Sequence, residues 1–216
     1  MAARILGWLA LVALLAGLGA AFGYAPREAV QGNVQRIVYL HVPAVLTAYL
    51  AFALVFVGSL GYLLTRRPGW DRLALSAAEP GVVFTGITIA SGSIWGKPTW
   101  GTWWTWDARL TSTAVLFLVY VGYLLLRGMI DEPDRRARAA AVVGILGAAN
   151  IPIVHFSVSW WRALHQPSAM IGPGSAPYPW WMKAVILLNF AAFALLLGYF
   201  VARRAEIARL EDMHAG

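Results

Sequence analysis

The sequence predicts an all-α integral membrane protein, a bundle of six transmembrane helices joined by short loops. Of its 216 residues, 60% are hydrophobic and only 12% are charged, and the mean hydropathy is +0.65. A soluble domain is typically about half apolar and about a quarter charged. Apolar stretches of about 20 residues recur along the chain, and each is long enough to cross a hydrocarbon core about 30 Å thick. We therefore expect residues 1–216 to form a single membrane domain.

The spans are bounded by charged breaks or by breaks rich in proline and glycine, and they fall at 5–24, 41–65, 73–95, 111–129, 140–159 and 180–201. The first has Arg4 ahead of a long apolar run, which is also the pattern of a cleaved signal peptide. The run is longer than the usual core of a signal peptide, so we favour a retained helix. Because every connection is short, any chemistry must lie in the loops or between the helices.

The third span contains a carboxyl group at Glu79, followed by Pro80. Seven residues into a helix correspond to a depth of roughly 10 Å. An ionisable residue at that depth is a functional candidate that is either paired or protonated. The sequence shows no partner for it, so we regard Glu79 only as a candidate helix-contact residue.

The basic residues predict the orientation in the membrane. Fifteen of the 17 are arginine, mostly in short runs between spans, which is typical of topology signals and argues against nucleic-acid binding despite a net charge of +7. Eleven lie on the side of the two termini and of the 66–72 and 126–139 loops, and six on the other side. Both termini are therefore expected to be cytoplasmic, with the loops 25–40, 95–110 and 160–179 facing outward.

Tryptophan is concentrated on the predicted outer side. Nine of the eleven tryptophans lie in or beside the second and third outer loops: Trp95, Trp100, Trp103, Trp104, Trp106, Trp160, Trp161, Trp180 and Trp181. One interpretation is an aromatic belt at the headgroup level. We favour a folded apolar platform in the 95–110 loop, because a plain belt would decorate both faces and this stretch mixes five indoles with glycines and a proline.

A platform of flat indoles at a water–lipid boundary suits a large, flat, mostly apolar ligand with a polar edge, and haem has this form. Its iron takes axial ligands, for which neutral imidazole is a common choice. Of the four histidines, His41 and His165 lie at the mouths of outer loops, and we expect them to be the axial ligands. His155 lies inside the fifth span and is the weaker candidate, while His214 is in the cytoplasmic tail. The chain has no cysteine, which excludes disulfides, thiolate metal sites and iron–sulfur clusters.

Three charged residues border the tryptophan-rich stretch. Lys97 and Arg109 suit pairing with the haem propionates, and equally suit snorkelling to the interface. Asp107 has three open roles: it can orient Arg109, cap the fourth helix or contact a partner.

The stretch from Trp95 to Asp107, continued by Ala108-Arg109-Leu110-Thr111-Ser112, resembles the WWD domain of haem-handling membrane proteins. Tyr39-Leu40-His41-Val42-Pro43 and Trp160-Trp161-Arg162-Ala163-Leu164-His165-Gln166 resemble the two histidine sites of the CcmC family in that group. The related CcmF and CcsA proteins have longer chains with more spans, so six spans in 216 residues favour CcmC.

The resemblance implies a protein of the bacterial cytoplasmic (inner) membrane that binds haem b at the outer face through two histidines and the WWD loop. It also implies delivery to the membrane-anchored haem chaperone CcmE, which bonds a haem vinyl group to its own histidine. The CcmA/CcmB ABC transporter and the small protein CcmD would release the loaded chaperone, with membrane lipid surrounding the spans. No role for Glu79 or His155 follows from the resemblance.

Two alternatives use the same residues differently. The helices could conduct haem across the bilayer as a permease, although the spans offer few polar residues to line a path. The outer histidines could serve a membrane-embedded metal or quinone enzyme, although this leaves the five-indole stretch unexplained, and we see no self-contained catalytic site.

Overall fold

Six long helices dominate the computed structural model, which describes residues 2–161, 163–165 and 178–215. They are α1 (Ala2–Gly19), α2 (Val38–Thr65), α3 (Pro68–Trp100), α4 (Ala108–Met129), α5 (Pro133–Trp160) and α6 (Trp180–Ala215). A π-helical turn, Ala20–Tyr24, continues α1, and a 3-10 turn, Val34–Ile37, leads into α2. Each of the six is long and apolar enough to cross a membrane, so the predicted six-helix bundle is confirmed.

The tryptophan-rich stretch is only partly a loop. Its first six residues, Trp95–Trp100, form the last turns of α3, and only 101–107 link α3 to α4. Pro98 lies inside α3. A proline there removes one backbone hydrogen bond of the helix, and α3 nevertheless continues past it to Trp100. The helix stops at Gly101, whose φ of 79° lies in the left-handed region and whose N–H donates to the Lys97 carbonyl at 3.0 Å. We call the end of the bundle around residues 95–107 the tryptophan-rich end.

Helices α2 to α5 pack around an aromatic centre. The Phe52 ring on α2 stacks on the Tyr120 ring of α4 with centroids 3.7 Å apart, and both side chains are fully buried. The Tyr120 hydroxyl donates to the Gly144 carbonyl on α5 at 3.0 Å. Helices α2 and α3 approach closely at small residues: a Cβ added at Gly58 would lie 3.0 Å from Cβ of Ala74, and one at Gly81 would lie 3.2 Å from Cβ of Ala51.

Helix α1 is peripheral and packs mainly along α6. Asn189 on α6 is fully buried, and its Nδ2 donates to the Gly17 carbonyl of α1 at 3.1 Å and to the Val185 carbonyl at 2.9 Å. A buried side-chain amide bonded to a neighbouring backbone fixes the register of the two helices, because sliding would leave it unsatisfied.

Ion pairs join the helices at the opposite end, which we call the arginine-rich end. The Arg127 guanidinium of α4 donates to both carboxylate oxygens of Asp71 on α3, at 2.6 and 2.7 Å. Arg204 on α6 donates from Nε to Oε1 of Glu79 at 2.9 Å. This contact provides the partner that the sequence did not show and makes Glu79 a link between α3 and α6.

The third predicted outer loop, 160–179, lies largely outside the described residues. The structure describes Trp160 and Trp161, a short piece at 163–165 that contains His165, and the chain again from Tyr178.

Candidate functional site

A cavity opens between α2, α3, α4 and α5 at the tryptophan-rich end. It encloses about 1530 Å³ of empty space, part of which is open to solvent. Its wall is mostly apolar, and its lining runs from Trp103 and Trp104 at the mouth to Tyr49, Thr85 and Leu116 at the deepest level. Leu116 is eight residues into α4, so the cavity reaches roughly 12 Å along that helix. The site is therefore deeper than a platform resting on the membrane surface.

Three histidines line this cavity: His41, His155 and His165. The sequence placed all three on one side of the membrane, and the folded chain brings them to one space. His41 is in the first turn of α2, His155 is near the end of α5, and His165 follows α5. The ring of His155 makes edge contacts with Phe156, at 4.9 Å between centroids, and with Tyr49, at 6.3 Å.

Ser91 determines which nitrogen of His41 is available. Nδ1 of His41 lies 3.0 Å from the Ser91 hydroxyl oxygen, and that hydroxyl donates its proton to the Ile87 carbonyl at 2.6 Å. With its proton on the Ile87 carbonyl, the Ser91 oxygen is an acceptor for Nδ1–H, and the Thr88 carbonyl, which can only accept, is a second partner of the His41 ring. His41 is then the tautomer whose Nε2 carries the free lone pair that a metal requires.

His165 is held in the same way by Asp107. Nδ1 of His165 lies 3.1 Å from Oδ2 of Asp107, and a carboxylate can only accept, so Nδ1 carries the proton and Nε2 is available. Burial lowers the pKa of His165 below its ordinary value, although the carboxylate partly opposes this. The lowered pKa keeps the imidazole neutral, the form that binds iron. The Trp100 ring packs edge-on against this imidazole at 4.6 Å.

Asp107 has two roles in the structure. The cap of α4 is one that the sequence left open, and the contact with His165 is one that the sequence did not predict. Oδ1 of Asp107 accepts from Leu110 N at 2.9 Å and caps α4, while its Oδ2 bonds His165. Burial alone would raise the pKa of Asp107, but the hydrogen bonds from Leu110 and His165 outweigh it and lower the pKa. Asp107 is not part of the cavity lining, so its effect on a ligand passes through His165.

The tryptophans of the 95–110 stretch divide into two sets. Trp95, Trp100, Trp103 and Trp104 line the cavity. Trp106 instead lines a separate groove together with Asp107, is 81% exposed, and makes an edge contact with the Trp104 ring at 5.5 Å between centroids. Of the five indoles expected to form one platform, four therefore lie on one cavity wall and Trp106 does not.

Two of the cavity indoles are positioned differently through their ring nitrogens. Nε1 of Trp95 donates to Oε1 of Gln31 at 2.9 Å, which ties the cavity wall to the first outer connection. Nε1 of Trp104 is buried and has no hydrogen-bond partner in the part of the chain that the structure describes. A buried donor without a partner is costly, so a shift of the Trp104 ring that brings Nε1 to a ligand acceptor would be favourable.

The two cations expected to pair with propionates, Arg109 and Lys97, lie in different places relative to the cavity. Arg109 lines the cavity, and its NH2 donates to the His155 carbonyl at 2.9 Å. Lys97 lies outside the lining, and its Nζ donates to the Gly101 carbonyl at 2.9 Å at the end of its own helix. Of these two cations, Arg109 is therefore the one placed to meet an acidic group inside the cavity.

These residues fit haem as a cargo. The cavity offers flat aromatic walls for the macrocycle, two imidazoles with available Nε2 atoms, one guanidinium and one buried indole donor. Sequence reasoning missed Ser91 and Gln31, because neither lies near its partner in the chain or belongs to a recognisable pattern.

Comparison with known proteins gives consistent relatives. The chain matches the family model described as "Heme exporter protein C" over residues 1–215. It is 40% identical over 214 residues to "Heme exporter protein C" of Bradyrhizobium diazoefficiens, covering 97% of this chain and 81% of that protein. It is 42% identical over 193 residues to the protein of the same name from Escherichia coli K12, covering 88% and 77%. A relative from Marchantia polymorpha, 40% identical over 176 residues and covering 82% and 74%, has the provisional name of a ccmC-like mitochondrial protein of cytochrome c biosynthesis. The chain belongs to the heme exporter protein C family.

Proposed function

We propose that this protein binds haem b in the cavity at the tryptophan-rich end and delivers it to the chaperone CcmE for the assembly of c-type cytochromes. The observation that carries the proposal is the pair of imidazoles on one cavity, His41 and His165, each with Nδ1 engaged and Nε2 available. Membership of the heme exporter protein C family and the cytochrome c biosynthesis name of a relative support the same cargo.

The chain's residues have distinct tasks in this proposal. His41 and His165 supply the axial nitrogens, and Trp95, Trp100, Trp103 and Trp104 enclose the macrocycle. Arg109 pairs with a propionate, and the Trp104 indole N–H gives it a second donor. The axial bonds are coordinate bonds that can exchange with other ligands, and the remaining contacts are non-covalent, so release of the cargo requires ligand exchange but no cleavage of a covalent bond.

The position of the cavity suits transfer to a partner. It is open at the tryptophan-rich end, which the distribution of arginine assigns to the outer face of the membrane, with both termini cytoplasmic. A membrane-anchored CcmE on that face can approach the open edge. The CcmA/CcmB transporter and CcmD would then act on the loaded chaperone rather than on this cavity.

The spectrum of the purified protein tests the assignment of the ligands. Wild-type protein is expected to show a low-spin, bis-histidine haem spectrum, and His41→Ala or His165→Ala is expected to lose it. His155→Ala is a control within the same cavity, and His214→Ala is a control at the far end of α6. A wild-type protein without haem, or a His41/His165 double variant that keeps the same spectrum, would refute the proposal.

A reconstituted system tests the delivery step. Haem-loaded protein mixed with CcmE in the same vesicles is expected to form the covalent haem–CcmE product, and the Trp103→Ala/Trp104→Ala double variant is expected to form less. Equal product from this variant at equal haem content would exclude the platform from the transfer.

A further inference from the structure

The two imidazoles of the cavity are supported by acceptors of different charge. His165 donates to a carboxylate at 3.1 Å, whereas His41 has the Ser91 hydroxyl at 3.0 Å and the Thr88 backbone carbonyl as partners, both of them neutral. The distances are nearly equal, so the charge of the acceptor is the main difference between the two contacts. Hydrogen bonds to an ionised acceptor are roughly twice as strong as neutral ones.

Such support changes the imidazole as a ligand. An acceptor on Nδ1–H draws the proton away from the ring and raises the basicity of Nε2, and a carboxylate does so more than a hydroxyl. The Asp107–His165 contact is also shielded, since the Asp107 side chain is 9% and the His165 side chain 18% exposed. Limited access of water preserves the electrostatic strength of the contact.

Ser91 cannot compensate from its side. Its proton is already donated to the Ile87 carbonyl, and its second contact is to the Thr88 carbonyl at 3.3 Å. The hydroxyl therefore fixes the tautomer of His41 but leaves the ring close to an ordinary neutral imidazole.

We propose that the two axial bonds to haem are unequal, the Asp107-supported His165 being the strong ligand and the Ser91-supported His41 the one displaced first when the cargo leaves. This inference rests on the proposed haem site. In the exchange, the bond from iron to Nε2 of His41 breaks as a bond to an incoming nitrogen donor forms, and no electron changes hands. Asp107 and Ser91 are then positioning residues that set the order of exchange.

Carbon monoxide and two matched variants test this order. Carbon monoxide added to the reduced, haem-loaded protein replaces the weaker axial imidazole, and photolysis leaves a five-coordinate haem with the stronger one. The iron–histidine stretching band in the resonance Raman spectrum then reports on the retained ligand. Asp107→Asn removes the charge and one of the two acceptor oxygens. Its single carbonyl oxygen can still cap α4 at Leu110 N, and its NH2 group in the other position cannot accept from Nδ1–H of His165. Ser91→Ala removes the hydroxyl acceptor of His41.

We expect Asp107→Asn to lower the stretching frequency and Ser91→Ala to leave it unchanged. We also expect Asp107→Asn to weaken haem binding by about 10-fold or more, as removal of such outer partners commonly does, and Ser91→Ala to weaken it less. A shift in Ser91→Ala alone would mean that His41 is the retained ligand and would overturn the order. Unchanged frequencies in both variants would show that the acceptors do not tune the ligands, and would overturn the inference while leaving the haem site intact. Wild-type protein without haem would instead refute the proposed function together with this inference.

Discussion

Gly92 on α3 controls the space beside His41, and Gly92→Ala is therefore a sensitive perturbation of the site. A Cβ added at Gly92 would lie 3.0 Å from Cε1 of His41 and 3.5 Å from its Nδ1. The first distance is shorter than ordinary van der Waals contact, so the imidazole must move by a few tenths of an ångström. The added Cβ pushes on the Cε1–Nδ1 edge of the His41 ring, and Nδ1 is the atom that contacts Ser91.

The expected loss follows from the hydrogen bond at stake. The His41–Ser91 bond is 3.0 Å long, and a displaced ring weakens or breaks it. A neutral hydrogen bond contributes about 0.5–1.5 kcal/mol net. If the loss appears fully in haem binding, the affinity falls about 2- to 13-fold, since 1.4 kcal/mol corresponds to a factor of ten.

Gly86→Ala on the same helix is the matched control. A Cβ there would meet its nearest neighbour, Phe117, at 3.7 Å, which is an ordinary contact. Both substitutions favour the helix by about 1 kcal/mol, so a loss of fold does not distinguish them. Haem titration of the two purified variants, followed in the Soret band, gives the comparison. Wild-type affinity in Gly92→Ala, or an equal loss in Gly86→Ala, would refute the close approach at His41.

Two further substitution pairs separate neighbouring effects. Asp71→Asn leaves the guanidinium of Arg127 without its carboxylate in a largely buried pair, and thermal unfolding in detergent should show a destabilisation of about 3–5 kcal/mol. Glu206→Gln breaks an exposed pair and should lower the stability by less than about 1 kcal/mol. Equal losses of stability in the two variants would contradict the difference in burial. Trp104→Ala should lower haem affinity about tenfold through lost contact of about 1.5 kcal/mol. Trp106→Ala, which acts on the cavity only through the edge contact with Trp104, should lower the affinity less, and the reverse order would reassign the two indoles.

The helices follow from the sequence because the bilayer imposes one simple requirement. A stretch of about 20 apolar residues must form a helix to satisfy its backbone in hydrocarbon, whatever its neighbours are. The ends of the helices depend on finer detail. Gly96 and Pro98 suggested a loop, yet α3 continues to Trp100 and stops only where Gly101 adopts a left-handed conformation.

The site depends on contacts between residues far apart in the chain. His41 and Ser91 are 50 residues apart, Gln31 and Trp95 are 64 apart, and Glu79 and Arg204 are 125 apart. The sequence identified the histidines because imidazole is a ligand for iron, and the indoles because most tryptophans cluster on one predicted side. Neither a ligand chemistry nor a cluster marked Ser91 or Gln31.

The stacked rings of Phe52 and Tyr120 lie one helical turn beyond Ala48 and Leu116 in the deep wall of the cavity. With both rings fully buried at 3.7 Å, this pair acts as a floor, and the space above it is a cup rather than a channel. A rigid planar cargo in a cup must enter and leave by the same rim, or sideways between two helices. The direction in which the cargo moves would then depend on which acceptor binds at the open end of the cavity.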